Sequence, residues 1–443
     1  MGLAIGGMHR CQPFLGGKGV ISRLIDSRLF RSAGIYTIAN AINSAIPLLL
    51  LPVLTRYLSP QEYGLVAMFA VLTAVVTAIA GLGTHGAVSR EYFLRSQADF
   101  AGFVGTCIFI LVASSIALLA LISLFNQSLS SITGIPVYWL AAAVLMGVGQ
   151  LMCSIGLAIW QVRGLPAIYG TFQIATSLLN ALLSLALVIG MEMGWQGRVI
   201  GQVAAVSMMG ALAIPLLVRA GWMRLHFLRK HACQALRYGV PLVFHALGAT
   251  AVAVSDRALV ANLVSMDEAG LYVVAAQIAM VITFIADSFS RAYAPWLFEK
   301  LKVDDSVVKR RIVIGTYWYF ALLLLFTCLF VVAAPTLIGI IVGPKFSGAT
   351  HYIFWLSLAS AFGGMYYMVT LYIQFSGKTE RLAAVTLSVG AINILLCYAL
   401  IQMEGGIGAA KASAISQLVI FLATWAVAAR LINMNWFLRR KIA

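Results

Sequence analysis

From residue 33 onward the chain is a succession of long apolar runs, and this constrains its fold more than any other feature. A helix needs about 20 predominantly apolar residues to cross a bilayer core about 30 Å thick. Twelve runs are long enough: residues 33–57, 64–82, 101–125, 137–161, 167–191, 199–220, 238–263, 269–292, 312–334, 351–375, 383–403 and 407–431. They are continuous rather than alternating, which excludes a membrane β-barrel. The residues are 62% hydrophobic and only 10% charged, against about 45–50% and about 25% in a soluble domain. The expected fold class is therefore an all-α polytopic membrane protein with about twelve transmembrane helices.

The net charge is +16. On a soluble protein that value would suggest a nucleic-acid partner. Here the 30 Lys and Arg residues lie mostly in the segments between apolar runs, so topology explains them and no nucleic acid is expected. Counted along the alternating connections, 25 fall on one side and 4 on the other, and Arg257 lies inside a run. The positive-inside rule then places both termini in the cytoplasm. The six cysteines, Cys11, Cys107, Cys153, Cys233, Cys328 and Cys397, are scattered singly with no CxxC or Cys/His cluster. That argues against a metal site or a disulfide framework. The first thirty residues lack the pattern of a cleavable signal. Val20, Ile21, Leu24, Ile25 and Leu29 fall roughly on one face, as in an interfacial helix leading to the first span.

An internal echo divides the chain. LSPQEYGL, residues 58–65, follows the first run, and VSMDEAGL, residues 264–271, follows the seventh. Ser59/Ser265, Glu62/Glu268, Gly64/Gly270 and Leu65/Leu271 match at one spacing. Six runs separate the two octapeptides, an even number that preserves orientation. The expectation is two parallel, pseudo-symmetric six-helix bundles related by an axis along the membrane normal, a known transporter plan. They would occupy residues 33–220 and 238–432. A basic cytoplasmic linker, residues 221–237, would join them. Residues 1–32 form an N-terminal cytoplasmic or interfacial segment and residues 433–443 a basic cytoplasmic tail.

Charges inside apolar runs are costly, about 2.5–3.5 kcal/mol on insertion scales, so they mark partners or wet cavities. Asp256 and Arg257 lie in the outer half of the seventh run, about 10 Å from its end at about 1.5 Å per residue. Adjacent helical residues point about 100° apart and are poor partners for each other. At least one must reach other groups or cavity water, either as a substrate contact or as half of a structural cross-helix pair. Asp287 and Arg291 are four apart with the acid first, the favourable order for an intrahelical pair. They either neutralise each other near the inner surface or line the inner mouth, where Arg291 would take an anionic group and Asp287 a proton. Arg90 closes the second run as a phosphate contact or a positive-inside anchor. His245 reads as a packing residue. Asn40, Asn43, Gln150, Gln173, Asn180, Gln277, Asn393 and Gln417 are amides that suit sugar hydroxyls and also hold helices together. Tyr366, Tyr367 and Tyr372 could stack on sugars or simply pack. The Gly377-Lys378-Thr379 triplet is not a P-loop, because Tyr372 stands where the required earlier glycine belongs.

The segments YTIANAINSAIPLLLLPVLTRYLSPQEYGLVAMF, GAVSREYF, YGVPLVF, SDRALV, EAGLYVVAAQIA and FSGKTE occur in this order. With them the chain resembles the Wzx-type polysaccharide flippases, a branch of the multidrug/oligosaccharidyl-lipid/polysaccharide exporter superfamily. The resemblance implies two six-helix bundles facing each other across a central cavity. It implies an O-antigen, capsule or exopolysaccharide repeat unit on undecaprenyl pyrophosphate as substrate, moved across the bacterial cytoplasmic membrane by alternating access. It also implies a polysaccharide polymerase and a chain-length regulator as partners, contact with membrane lipids, and no cofactor. By position, Asp256 and Arg257 take the family's seventh-span pair and Arg90 its second-span arginine, whereas Asp287 matches no general family residue. The nearest rival is a multidrug cation antiporter of the same superfamily, which acidic sites would serve and Arg257 and Arg291 oppose. A lipid II flippase resembles fourteen spans rather than twelve. A membrane glycosyltransferase or polymerase needs a sizeable outward loop bearing acids or arginines, and the outward segments are short and nearly uncharged.

Overall fold

The computed structural model describes residues 28–94, 99–302, 305–376, 378–432, 434 and 436. Most of the expected interfacial segment and of the basic tail lies outside these residues, as does Arg95. Fourteen α-helices follow in order. They are α1 Arg28–Tyr57, α2 Pro60–Ala80, α3 Thr84–Leu94, α4 Phe100–Leu124, α5 Asn126–Thr133, α6 Val137–Val162 and α7 Pro166–Leu185. Then come α8 Gly194–Arg219, α9 Arg229–Leu263, α10 Met266–Lys302, α11 Ser306–Ile341, α12 Thr350–Ser376, α13 Thr379–Glu404 and α14 Gly406–Leu431. No strand occurs among the described residues.

Eleven helices among the described residues are long and apolar enough to cross a membrane. The remaining expected span, residues 238–263, lies in α9, whose 35 residues reach about 50 Å at about 1.5 Å per residue. α9 begins at Arg229, so Arg229, Lys230 and Arg237 sit on a helical extension of that span rather than on an irregular linker. The stretch RKHACQALR is rich in good helix formers, which accounts for the extension. Two short helices, α3 and α5, were also not visible as apolar runs.

The two echoing octapeptides are helix starts. Ser59 caps α2 in a reciprocal box: its hydroxyl accepts from the Glu62 backbone N–H at 3.2 Å, and the Glu62 carboxylate accepts from the Ser59 N–H at 2.8 Å. Ser265 repeats half of this on α10, accepting from the Glu268 N–H at 3.1 Å. The Glu268 carboxylate accepts instead from the Tyr352 hydroxyl. Such caps satisfy N–H groups that the first helical turn leaves without partners.

Helix packing repeats between the halves. In the first, α1 packs on α7, α2 on α6, and α8 on both α6 and α7. In the second, α9 packs on α13, α10 on α12, and α14 on both α12 and α13. The halves meet along α2 and α10. A methyl added at Gly64 would lie 2.1 Å from the Met266 carbonyl oxygen, and one added at Gly270 2.0 Å from the Pro60 oxygen. Shifting each residue by the offset of the sequence echo exchanges these two contacts. They are one contact made twice, the signature of a two-fold axis. Only glycine allows backbones this close in a membrane protein.

The cores show how the halves are set. Near the capped ends of α2 and α10 one core draws Leu50, Leu51, Leu58 and Tyr63 from α1 and its surroundings together with Tyr272, Val274 and Phe346 of the second half. Toward the basic end, the second half has its own core around Ile282, Phe320, Met365 and Tyr372, with no residue from the first half. The first half has another around Phe103, Ile155 and Trp160, which recruits from the second half only Ala232, Ala235 and neighbouring residues at the start of α9. The halves are joined through α2 and α10 at the end opposite the basic loops; toward the basic end the first half meets only the start of α9, where Gly83 and Gly239 bring two backbones together. On the periphery, α11 exposes Trp318, Leu322, Leu325, Leu329 and Val332 as one continuous stripe, a surface that only lipid can cover.

The glycine contact generates a prediction. Gly270→Ala forces two backbones apart and lowers stability by about 1–3 kcal/mol. Gly339→Ala meets open space on α11 and leaves the melting temperature equal or higher. Thermal unfolding of the purified variants in detergent measures both.

Candidate functional site

Asp256 and Arg257 stand on α9 one turn and a half before its capped-end terminus. The Asp256 carboxylate is fully engaged. The Tyr272 hydroxyl of α10 donates to Oδ2 at 2.6 Å, and the Arg257 backbone N–H donates to Oδ1 at 2.9 Å. The Tyr272 hydroxyl also lies 3.2 Å from Ser413 Oγ of α14. Three helices are thus tied around one carboxylate, and Asp256 does not form a salt bridge with its neighbour. Arg257 is the contrasting case: its Nε is buried with no hydrogen-bond partner among the described residues. A buried guanidinium donor without an acceptor costs a kcal/mol or more.

Both side chains line a cavity of about 290 Å³ in the second half. Its other walls include Thr283, Ser360, Tyr366, Tyr367, Ser413 and Gln417. The cavity therefore combines one cation, one engaged carboxylate, three tyrosines and several hydroxyls. Across the joint, the Tyr63 hydroxyl of α2 donates to Gln277 Oε1 of α10 at 2.9 Å, which fixes the first half against this wall.

The other expected residues separate from this cluster. Arg291 Nε and Asp287 Oδ2 form the intrahelical pair at 2.7 Å, with side chains 64% and 35% exposed. They stand toward the basic end of α10 and do not line the cavity. Arg90, exposed on α3, lies over the Tyr238 ring of α9 at 4.8 Å, a cation–π contact between the halves. Tyr366 and Tyr367 reach the cavity. Tyr372 is a packing residue, fully buried, with its hydroxyl 3.3 Å from Thr316 and its ring against Trp436. The His245 side chain lies outside the described residues. Of the amides, Asn43 accepts from Ser177, Asn180 from Arg198, Gln277 from Tyr63 and Asn393 from Ser416, so these four join side chains within and between helices. Gln417 lines the cavity. Among the described residues no cluster of His, Cys, Asp and Glu could hold a metal ion.

One buried cation escaped the sequence reading. Arg198 counts as an outward-loop residue by topology, yet it lies in the first turns of α8, only 7% exposed. Its Nη1 donates to Asn180 Oδ1 at 2.9 Å and to Ser184 Oγ at 2.6 Å of α7. The signal was present as Asn180 and Ser184, four apart on the neighbouring helix.

The joined halves, the apolar exterior and the polar interior cavity define a multi-pass membrane protein with a transporter fold. Solved structures with the same fold agree. The chain is similar to a multidrug resistance MATE family transporter of the MOP superfamily in its inward-facing conformation, with TM-score 0.67 and 14% identity over 89% of this chain and 97% of that one. It is similar to the lipid II flippase MurJ in an inward closed conformation, with TM-score 0.71 and 16% identity over 88% and 87%. The family model described as polysaccharide biosynthesis protein matches residues 29–300, and the chain belongs to that family. A membrane protein of Haemophilus influenzae is 24% identical over 368 residues, covering 80% of this chain and 86% of that protein. A protein of the Lsg locus of the same organism is 22% identical over 371 residues, covering 80% and 87%.

Removing each buried arginine separates their roles. Arg198→Ala strands Asn180 and Ser184 and costs about 1–3 kcal/mol. Arg257→Ala leaves no acceptor behind at Nε and does not lower the melting temperature. Thermal unfolding of the two variants side by side checks the difference.

Proposed function

We propose that this protein is a flippase that carries an undecaprenyl-pyrophosphate-linked oligosaccharide, an O-antigen, capsule or exopolysaccharide repeat unit, across the bacterial cytoplasmic membrane. The observation that carries this reading is the unpartnered guanidinium of Arg257 at the wall of a cavity inside the membrane. A pyrophosphate cannot enter hydrocarbon without replacing its hydration, and a buried Arg with free donors supplies that replacement. Asp256, held by the Tyr272 hydroxyl and the Arg257 backbone N–H, keeps the wall in place and tempers the local positive charge. Arg291 with Asp287, and Arg90, attract the anionic headgroup toward the basic end of the cavity. A multidrug cation antiporter would need the acid free and the arginine engaged, the reverse of what Asp256 and Arg257 show.

The division into two bundles, residues 33–220 and 238–432, supplies the motion. Halves joined at α2 and α10 at one end, and held at the other only through the start of α9, alternate access by rocking about the joint. With both termini and the basic loops in the cytoplasm, the basic ends face the side where the lipid-linked glycan is assembled. Each negative charge moved outward through 100 mV, inside negative, gains about 2.3 kcal/mol. Polymerisation outside, by a polymerase and chain-length regulator, then draws the product away.

The test is complementation of a flippase-null host. Arg257→Ala abolishes surface polysaccharide, leaves protein in the membrane at wild-type level and accumulates lipid-linked oligosaccharide on the inner leaflet. Normal polysaccharide in Arg257→Ala and in Asp256→Asn would overturn the proposal.

A further inference from the structure

A second cavity, about 410 Å³, lies between the halves, bounded by α9 on one side and by α2, α3 and α6 of the first half on the other. Its polar lining is Thr77, His85, Gln150, Ser154 and Thr250, among small residues such as Gly81. No Asp, Glu, Lys or Arg lines it. Thr77 Oγ lies 2.7 Å from the Thr73 carbonyl oxygen and 3.2 Å from Gln150 Oε1. The Ser154 hydroxyl donates to the Gln150 backbone carbonyl oxygen at 2.8 Å. The Thr77 contact positions the Gln150 side-chain amide, which brings both N–H donors and a carbonyl acceptor to the cavity wall. Ser154 Oγ and Thr77 Oγ keep lone pairs as acceptors. Loss of solvent around the His85 imidazole holds it below the ordinary histidine range.

An uncharged site with both donors and acceptors suits an uncharged polyol. A phosphate would find no cation in it, and a cationic drug no carboxylate. Its volume falls in the range of small-molecule sites, about 300–1,000 Å³. One helix lines both cavities: Thr250 faces this one and Arg257 the charged one, roughly 10 Å apart along α9. Two linked parts of one molecule, one anionic and one hydroxyl-rich, can therefore be held at once.

We infer that this first-half cavity binds the glycan of the substrate, with Gln150 donating to sugar hydroxyls and Ser154 and Thr77 accepting from them. This deepens the flippase reading and rests on it. It assigns glycan selection to the first half and pyrophosphate binding to the second.

The test measures the affinity of purified full-length protein for two probes. One is undecaprenyl pyrophosphate alone; the other is the same lipid carrying the repeat unit of the host that makes it. The wild type binds the glycosylated lipid more tightly. Gln150→Ala weakens that lipid about tenfold and leaves the bare lipid unchanged, and Ser154→Ala acts in the same direction with a smaller effect. The bare lipid thus reports whether each variant is folded. Arg257→Ala weakens both lipids and preserves their ratio. A ratio unchanged in Gln150→Ala and Ser154→Ala, an equal loss for both lipids in those variants, or a wild type with no preference each overturns the glycan site and leaves the flippase reading standing. A wild type that binds neither lipid overturns both.

Discussion

The structure depends on the approach of two helix backbones at Gly64 and Gly270. Lipid supplies no hydrophobic drive between helices, so contact must come from close packing. Here it is made twice by the same residues in exchanged roles, Pro60 against Gly270 and Met266 against Gly64. Because the pair lies on the pseudo-symmetry axis, each half presents the same surface to the other. The capped starts of α2 and α10 hold this joint in register. The common core around Tyr63 and Tyr272 fills the space beside it, and toward the basic end the start of α9 alone carries the contact between the halves.

Polar groups within the apolar mass fall into two kinds. Arg198, Asn43, Asn180, Asn393, Tyr63 and Asp256 have partners, and most of those partners sit on a neighbouring helix. They tie the bundle together and are used up in doing so. Arg257 retains an Nε donor that no described residue takes. It lies on α9, and Gln150 lines the cavity beside that helix. α9 belongs by sequence to the second half yet packs its basic end against the first, so both polar cavities share it as a wall.

Much of this was legible in the chain itself. Run length fixed the spans, and the octapeptide echo pointed to the joint, because a cap followed by a glycine is a local pattern with a local cause. The pair at Asp287 and Arg291 was legible for the same reason, since four residues apart on one helix guarantees proximity. What the chain hid were relations between helices. Arg198 looks like a loop charge until Asn180 and Ser184 are seen beside it. Asp256 and Arg257 look like one unit, yet the first is bound by Tyr272 of the next helix and the second keeps an unpartnered Nε. The helical start of α9 was hidden by its charge, because Arg and Lys favour helix as readily as they mark a loop.

A protein that hollows out half of a membrane must not let ions follow. At the joint the gap between α2 and α10 is closed by backbone on backbone, Gly64 against Met266 and Pro60 against Gly270. On the flippase reading, while these helices stay in contact the cavity is a blind well rather than a pore, and the two glycines insulate the membrane potential of the cell.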